Sequence, residues 1–349
     1  MTDLSVAPAF LESARPLPEP LDDSQTGTPA RRLGSARRTS SLDMVWPDGI
    51  GTSLHLVGRA RDLVTTRAGE AVVVDEAAMH AVVDMERRIS AIEATPPRPG
   101  IEDLVGSQGG SYLRSAIDAA LPGEREAATP LHLMLDDIAG TSLIAGFVWS
   151  RHMDPEEFAA LRQQAPSGFG QRKGKIICSG LRPGGSAQAA FAGETESVHA
   201  IRTAGALVVD DDALAWHEFP ERPVVSMRRH RRVDITPVDD AYEIDAFFRD
   251  SYWEPDGTEM ALHEYNVAAV VDAADLTLRS VKATPRVLPF PECQWAPEHA
   301  ELLVGRPVQS FRTDVQTTLT ELQACTHLND MLRCLTEVPA LAAVIAATA

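Results

Sequence analysis

The C-terminal half of the chain shows a clear alternation of apolar and polar positions. In the run AYEIDAFF, Tyr242, Ile244, Ala246 and Phe248 share one face of an extended chain, which predicts a half-buried strand. The runs NVAAVVD and LTLRSVKA are rich in β-branched residues and are separated by a polar turn around residues 272–275. Together these three runs predict an antiparallel β-meander.

After the meander, the apolar spacing becomes that of helices. The segment PEHAELLVG begins with Pro297, which suits a first helical turn, and ends with Gly305, which suits a C-cap. VQSFRTDVQTTL and the segment beginning near Thr326 predict two further helices, with Pro339 breaking or kinking the last one. Strands followed by helices predict an α+β fold in which the helices cover one face of the sheet.

The same order of motifs occurs earlier in the chain, so the sequence predicts an internal duplication. The match begins with ARRTSSLDM and MRRHRRVDI, which share paired arginines and an aspartate, and it ends where His132 aligns with His327. The matched segments are Ala36–Met44 with Met227–Ile235, Arg59–Asp62 with Phe247–Asp250, Ala81–Asp84 with Ala269–Asp272, Ala94–Pro96 with Ala283–Pro285, Leu104–Gly106 with Leu303–Gly305, and Thr129–Asp137 with Ala324–Leu332. We expect two units, each a meander covered by helices, related by a pseudo-two-fold axis.

The repeat divides the chain into four parts. Residues 1–32 are rich in Pro, Ser, Asp and Thr without apolar periodicity, so we expect a disordered tail. Residues 33–140 form the first repeat and residues 225–349 the second, while residues 141–224 form an unrepeated insert that could act as a lid. Within the insert, Asp154 and Pro155 predict the start of a helix.

Composition restricts the partners and the compartment. A net charge of −18 in 349 residues argues against nucleic acid or an anionic membrane as the partner. The N-terminus lacks a secretory signal, the apolar end LAAVIAATA is too short to span a bilayer, and four cysteines do not make a disulfide framework. We therefore predict a cytoplasmic protein with reduced thiols. For the basic run RRHRR, residues 228–232, we expect a solvated strand edge or internal salt bridges.

The candidate chemistry lies in the second repeat. Cys325 and His327 point to nearly opposite sides of a helix interior, so they converge only if Cys325 lies at or before the first turn. There the backbone N–H groups and the helix dipole would favour a thiolate, with His327 as its acid–base partner. Cys293 lies in the turn PFPECQW, Asp250 at the end of a strand, and His263 in the next strand, so all five residues are catalytic candidates.

Two other interpretations of these residues stay open. Cys293, Cys325, His327 and Asp250 could bind zinc or iron, although no C-x-x-C pair is present. The cysteines could instead be buried packing residues, as we expect for Cys178 and Cys334. No nucleotide or flavin motif occurs in the chain.

The two repeats differ in their candidate residues. Pro130 stands where the second repeat has Cys325, and no cysteine aligns with Cys293. The first repeat keeps Asp62 and His132, and the sequence leaves open whether these two contribute to a shared site. We therefore predict that the second repeat is the active one.

The second repeat resembles a bacterial family of uncharacterised domains. The resemblance rests on the arginine-led strand Arg228–Asp234, Asp250 in a turn, the Pro-x-Cys turn Pro291–Cys293 and the terminal Cys-Thr-His-Leu of Cys325–Leu328. It covers residues 225 to about 340 and, more faintly, residues 35–140. A weaker similarity to iron–sulfur scaffold proteins implies a similar fold, but the first-loop cysteine of those proteins is missing, with Asp250 as the nearest substitute.

These observations give three hypotheses. The first is an enzyme acting on a small organic molecule by cofactor-independent or metal-assisted acid–base or nucleophilic chemistry, of the lyase, isomerase or hydrolase type. The second is a metal-binding or iron–sulfur-handling module, and the third is a non-catalytic interaction protein. The substrate and the oligomeric state are not defined by the sequence.

Overall fold

The computed structural model describes residues 21, 23–110, 112–163, 171–172, 175–192, 201–208 and 211–348. The strands are β1 Ser35–Val45, β2 Leu54–Thr65, β3 Ala71–Val83, β4 Ile89–Thr95, β5 Gln171–Arg172, β6 Lys175–Ile176, β7 Arg202–Thr203, β8 Ser226–Val238, β9 Ala241–Trp253, β10 Glu259–Asp272 and β11 Leu278–Val287. The α-helices are α1 Leu113–Ala120, α2 Pro122–Glu126, α3 Pro130–Ile144, α4 Trp149–His152, α5 Pro155–Gln163, α6 Ser186–Ala192, α7 Phe311–Thr318, α8 Thr326–Arg333 and α9 Val338–Thr348.

One antiparallel sheet organises the chain, in the order β11-β10-β9-β8-β1-β2-β3-β4, with the short β7 beside β10. β1 and β8 pair at its centre, and successive strands follow outward from them on both sides. This mixture of helices and antiparallel strands confirms the predicted α+β class. The half-buried strand is also confirmed, because Ile244, Ala246 and Phe248 are buried on one face of β9.

Helices cover one face of the sheet and enclose the apolar core. β8–β11 pack against α7–α9 in one cluster, which includes Phe248, Phe311 and Leu332. β1–β4 pack against α1, α3 and the turns beside them in a second cluster, which includes Leu56 and Leu131. The helices therefore lie where the sequence predicted them, although residues 297–303 form a 3₁₀ helix rather than an α-helix.

The second face of the sheet is covered by the N-terminal segment and part of the insert. Ser24 Oγ donates to Glu264 Oε2 at 2.7 Å, and Arg31 Nε lies 2.8 Å from Asp212 Oδ2. Residues 23–32 thus have defined contacts, whereas we expected a disordered tail up to residue 32. The predicted disorder fails there because the sheet offers buried charged partners; residues 1–20 and 22 lie outside the described residues.

The insert has a partly confirmed local structure. α5 begins as predicted, since Asp154 Oδ1 accepts a hydrogen bond from the backbone N–H of Glu156 at 2.8 Å. Further along, Ser179 N–H donates to the Ala324 carbonyl at 3.0 Å, so this part of the insert contacts the start of α8. Residues 164–170, 173–174, 193–200 and 209–210 of the insert, for which the sequence predicted a lid, lie outside the described residues.

The basic run RRHRR occupies the centre of the sheet rather than an edge. It lies on β8, where all five side chains are buried, so the predicted solvated edge is wrong. The alternative, internal salt bridges, is correct. Arg37 on β1 pairs with Asp234 on β8 at 2.6 Å, and Arg228 on β8 pairs with Asp43 on β1. Buried guanidinium groups need such carboxylate partners because an unpaired charge is costly to desolvate.

Two helical segments have the length and composition of membrane spans but are core helices in this fold. Pro130–His152 and Thr326–Thr348 each contain 23 residues, and 61% and 50% of their apolar windows are buried within the protein. The second segment passes through a 3₁₀ turn, Cys334–Glu337, just before Pro339, where the sequence predicted a break. This burial is consistent with a soluble protein.

Candidate metal centre

An arginine–carboxylate pair forms the base of the candidate site. Arg229 on β8 and Asp250 on β9 are direct neighbours in the strand register. The guanidinium donates through Nε to Oδ1 at 2.8 Å and through Nη2 to Oδ2 at 3.0 Å, and neither side chain is more than 1% exposed. Burial alone would raise the pKa of Asp250, but the charge of Arg229 holds that pKa well below its usual range. Asp250 is therefore an anion at neutral pH.

Two histidines lie against this carboxylate. His263 faces Asp250 from β10, directly after a register shift that lies between Ala261 and His263. His327 comes from the first turn of α8. The Asp250 Oδ2 atom lies 3.5 Å from His263 Nδ1 and 3.7 Å from His327 Nε2. The two imidazole rings stack with centroids 3.5 Å apart and planes inclined by 20°.

Both histidines are neutral at physiological pH. Burial lowers the pKa of His263, and it lowers the pKa of His327 further because the neighbouring His263 ring also opposes a second positive charge. His263 Nδ1 is buried, and apart from Asp250 at the limit of hydrogen-bond distance it has no partner. Neutral imidazoles with free lone pairs are the protonation state that metal binding requires.

The ligand atoms of the three residues lie close enough together for one metal ion, but the two stacked rings would have to turn to bind it, because an imidazole lone pair lies in the plane of its ring. The three ligand atoms all lie within 4.8 Å of one another. Two nitrogen or oxygen ligands that each lie about 2.1 Å from a tetrahedral ion are separated by about 3.4 Å, close to the observed 3.5 and 3.7 Å. Two histidines and one carboxylate are a ligand set found in non-haem iron and zinc enzymes. Asp250 Oδ2 can serve both Arg229 and an ion because a carboxylate oxygen has two lone pairs.

The cysteines form a separate group and do not join these ligands. Cys325 is the N-cap residue of α8, as its predicted placement requires, but its sulfur accepts a hydrogen bond from the Tyr265 hydroxyl at 3.3 Å. Burial raises the pKa of Cys325, and the backbone N–H groups of Leu328 and His327 offset this rise only in part. The expected thiolate is thus not supported. Burial overrides the helix-start effect on which that expectation depended.

Cys293 also lies apart from the carboxylate and the histidines. It occupies the 3₁₀ turn Pro291–Trp295, and a Cβ atom on Gly180 of the insert would lie only 2.3 Å from its sulfur. The pKa of Cys293 is raised well above its usual value by burial. Among the described residues, the group whose ligand atoms lie within 4.8 Å of one another consists of Asp250, His263 and His327, so it shares Asp250 and His327 with the set predicted from the sequence (Cys293, Cys325, His327 and Asp250) but contains neither cysteine.

Cys178 and Cys334 are buried, as expected from the sequence. Burial raises the pKa of each to about 12. Cys178 precedes the residues that contact Ala324 and Cys293, so it belongs to the region where the insert meets the start of α8 and the turn Pro291–Trp295. Burial and a raised pKa are the properties expected of packing thiols.

Residues 33–140 contain a similar arginine–aspartate pair but a different site. Arg38 donates through Nε to Asp62 Oδ1 at 2.6 Å, and the strand register places Asp75 opposite Asp62, whereas His263 stands opposite Asp250. His132 Nδ1 lies 3.1 Å from Arg312 Nη2, and burial lowers the pKa of His132 to about 3. An aspartate in place of a histidine leaves one imidazole fewer for a metal.

The sequence interpretation missed Arg229 and Asp137. Asp137 on α3 accepts a hydrogen bond from Arg229 Nη1 at 3.0 Å, so a carboxylate from outside the segment β8–α9 contacts the base of the site. The sequence pattern could have indicated Arg229, because an arginine in a strand can pair with an aspartate at the facing register position. No sequence pattern indicates Asp137, since its contact depends on how α3 crosses the sheet.

Access to the site is limited. The His327 side chain is 15% exposed and that of His263 is 9% exposed, so one edge of the ring pair approaches the surface. Two cavities, of about 240 and 90 Å³, lie near the N-terminal segment and the end of α9, and neither is lined by these histidines.

Comparison with known proteins adds one match. No curated protein and no solved structure matches the chain. Residues 227–340, which run from β8 into α9, match a family model described as "Protein of unknown function (DUF2889)". The match covers the arginine-led strand, all three residues of the candidate metal centre and the start of α8. Residues 227–340 of this chain are therefore similar to the domain family described as "Protein of unknown function (DUF2889)".

Proposed function

We propose that the protein is a cytoplasmic enzyme that acts on a small organic molecule with the help of one divalent transition-metal ion, zinc or iron. Asp250, His263 and His327 would hold the ion. The observation that carries the proposal is the clustering of a buried, ionised carboxylate with two neutral imidazoles, whose ligand atoms all lie within 4.8 Å of one another. A bound divalent ion would polarise a carbonyl or phosphoryl oxygen of the substrate, which lowers the barrier to lyase, isomerase and hydrolase chemistry.

The chain's own residues support this chemistry in distinct ways. Arg229 keeps Asp250 ionised and fixes its orientation by two hydrogen bonds. Burial keeps both histidines neutral, so they are ready to bind without losing a proton first. By contrast, the raised pKa of Cys325 opposes its use as a nucleophile, so a mechanism based on Cys325 and His327 is less well supported.

An internal duplication is part of the proposal. It is supported by the strand order, which runs outward from the β1–β8 pair on both sides. The reciprocal pairs Arg37–Asp234 and Arg228–Asp43 also exchange the residues that align in the two repeats. The two long helical segments contain 23 residues each. Under this view, the second repeat carries the centre and the first has diverged at Asp75.

Metal content tests the proposal. Purified protein is loaded with Zn(II), Co(II) or Fe(II), desalted and analysed by elemental mass spectrometry. We expect one ion per chain, lost in His327→Ala and His263→Ala. His132→Ala is the matched control, because His132 is a buried histidine in the first turn of α3 but lies outside the centre. Protein that retains no ion, or equal loss in the control, contradicts the proposal.

A metal-binding module without catalysis is the second candidate. It is favoured by the low exposure of the two histidine side chains, 9% for His263 and 15% for His327. Catalytic zinc sites keep an open coordination position, whereas structural sites are closed. Adding azide to the Co(II)-loaded protein separates the two candidates. A change in the visible spectrum favours the enzyme, and an unchanged spectrum favours the module.

A further inference from the structure

We propose that Asp137, in the first repeat, is a positioning residue for the metal centre of the second repeat and acts through Arg229 on Asp250. The inference rests on the proposed metal centre. It assigns a role to a residue that lies outside the segment similar to the family.

The connection is made by one guanidinium group with every nitrogen engaged. Arg229 directs Nε and Nη2 to Asp250 at 2.8 and 3.0 Å, and it directs Nη1 to Asp137 Oδ1 at 3.0 Å. Arg229 is 1% exposed and Asp137 is 5% exposed, so water does not screen these contacts. A planar guanidinium held at three nitrogens cannot turn without breaking a charged hydrogen bond.

Asp137 is itself fixed from a second side. Arg231 Nε donates to Asp137 Oδ2 at 2.7 Å, so the carboxylate is held between two arginines of β8. This places one negative charge of the first repeat beside the positive group that competes with a metal ion for Asp250. The carboxylate draws Arg229 toward α3 and so limits that competition.

Helix α3 can approach Arg229 this closely only because residue 140 is glycine. A Cβ atom there would lie 2.6 Å from Arg229 Nη1 and 3.1 Å from Asp330 Oδ2. The conformation of Gly140 is not the reason, since its backbone is helical. The absent side chain makes room for the charged contact.

A second contact mirrors the one between Asp137 and Arg229, but it does not lie beside a metal centre. Glu337, from the end of the second repeat, contacts Arg38, which pairs with Asp62 in the first repeat. There the position facing the aspartate is Asp75 rather than a histidine. Among the described residues of 33–140, Asp137 is therefore the carboxylate that hydrogen-bonds the arginine of the metal centre.

Removing the charge of Asp137 should weaken metal binding without removing a ligand. In Asp137→Asn, Arg229 interacts more strongly with Asp250, and the centre loses a nearby negative charge; both changes disfavour a cation. Loss of an outer-shell partner of a metal ligand typically weakens binding about 10–100-fold. We expect that change in the Co(II) dissociation constant, together with a shifted visible absorption spectrum of the bound Co(II).

Asp136→Asn is the matched control. Asp136 is the preceding residue on the same helix and pairs with two arginines, Arg114 and Arg312, neither of which contacts Asp250. Any general loss of stability should be similar in the two variants. The Co(II) spectrum and affinity should change only in Asp137→Asn, and Asp137→Glu should restore part of the affinity.

A second pair of variants tests the same connection if Asp137→Asn does not fold. Gly140→Ala pushes on Arg229, whereas Gly146→Ala places its Cβ 3.9 Å from Trp149, an ordinary contact. We expect weaker Co(II) binding in the first variant only. The experiment is a chelator-competition titration of the full chain with Co(II), recorded by visible absorption.

The outcomes separate the two proposals. If the wild-type chain binds no Co(II), the metal centre and the positioning role are both wrong. If the wild type binds Co(II) and Asp137→Asn or Gly140→Ala binds it with the same affinity and spectrum, only the positioning role is overturned. Equal weakening in Asp137→Asn and Asp136→Asn would also overturn it, because the effect would then be general.

Discussion

Two of the buried arginine–aspartate pairs allow a matched test of stability and of site location. Asp62→Asn and Asp250→Asn each remove one carboxylate charge from a bidentate pair, Arg38–Asp62 between β1 and β2 and Arg229–Asp250 between β8 and β9. Both arginines are essentially inaccessible to solvent. The two substitutions are therefore equivalent in packing and charge but differ in whether a histidine pair lies beside them.

The expected loss of stability depends on the carboxylate that each arginine still contacts after the substitution. Breaking a buried ion pair by removing one partner costs about 3–5 kcal/mol. Arg38 retains Glu337, and Arg229 retains Asp137 at 3.0 Å, so neither guanidinium becomes fully unpaired. Asparagine also keeps one acceptor oxygen. We therefore expect a loss of stability at the lower end of that range, about 3 kcal/mol, for each metal-free variant. This loss corresponds to roughly a hundredfold change in the unfolding equilibrium constant.

Guanidinium denaturation of the metal-free proteins, followed by circular dichroism, measures this loss. The titration is then repeated with excess Zn(II). A ligand present at 100 times its dissociation constant stabilises the native state by about 2.7 kcal/mol. We expect this gain in the wild type and in Asp62→Asn, and its absence in Asp250→Asn. A loss below about 1 kcal/mol in both metal-free variants would refute the buried pairing. Loss of the Zn(II) effect in Asp62→Asn would refute the assignment of the centre to the second repeat.

Three further predictions concern the insert, the thiols and pH. Gly180→Ala should destabilise the protein by about 1–3 kcal/mol through overpacking, because the new Cβ would lie 2.3 Å from Cys293 Sγ. In thermal unfolding, adding Cys293→Ala should relieve much of this loss. A Gly180→Ala protein as stable as the wild type would contradict the contact. All four cysteines are buried and free, with raised pKa values, so they should resist DTNB at pH 8 and react fully in guanidinium; rapid reaction of native Cys325 would instead indicate a thiolate. Burial lowers the pKa of His217 to about 3, below its unfolded value, so its contribution to stability is complete above about pH 6.5 and is lost as the pH falls towards 3. His217→Gln should therefore flatten the acid limb of the stability profile, by up to about 1.4 kcal/mol per pH unit, in urea titrations at pH 4–7; an unchanged slope would mean that the imidazole is protonated in the native state.

The sequence indicated the residues of the proposed centre no more strongly than it indicated the thiols. Asp250 and His327 were candidates from the sequence, and so was His263 as a neighbouring strand residue. The thiols were candidates on equal terms, since a cysteine beside a histidine at a helix start is a common reactive arrangement. Depth of burial decides between them. It raises the pKa of Cys325 and lowers that of His327, so the same environment disfavours a nucleophile and favours a metal ligand.

The sequence by itself determined the local elements, because strand alternation, helix caps and turn residues act over a few neighbouring positions. It predicted the β9 face of Ile244, Ala246 and Phe248, the start of α5 at Asp154 and the position of Cys325 just before α8. Contacts between distant segments carry no such local signal. Only the tertiary structure placed RRHRR at the centre of the sheet, His263 against His327, and Asp137 on Arg229. These contacts depend on which strands become neighbours and on how closely α3 crosses them. The need for glycine at position 140 is likewise visible only when its neighbours in the fold are known.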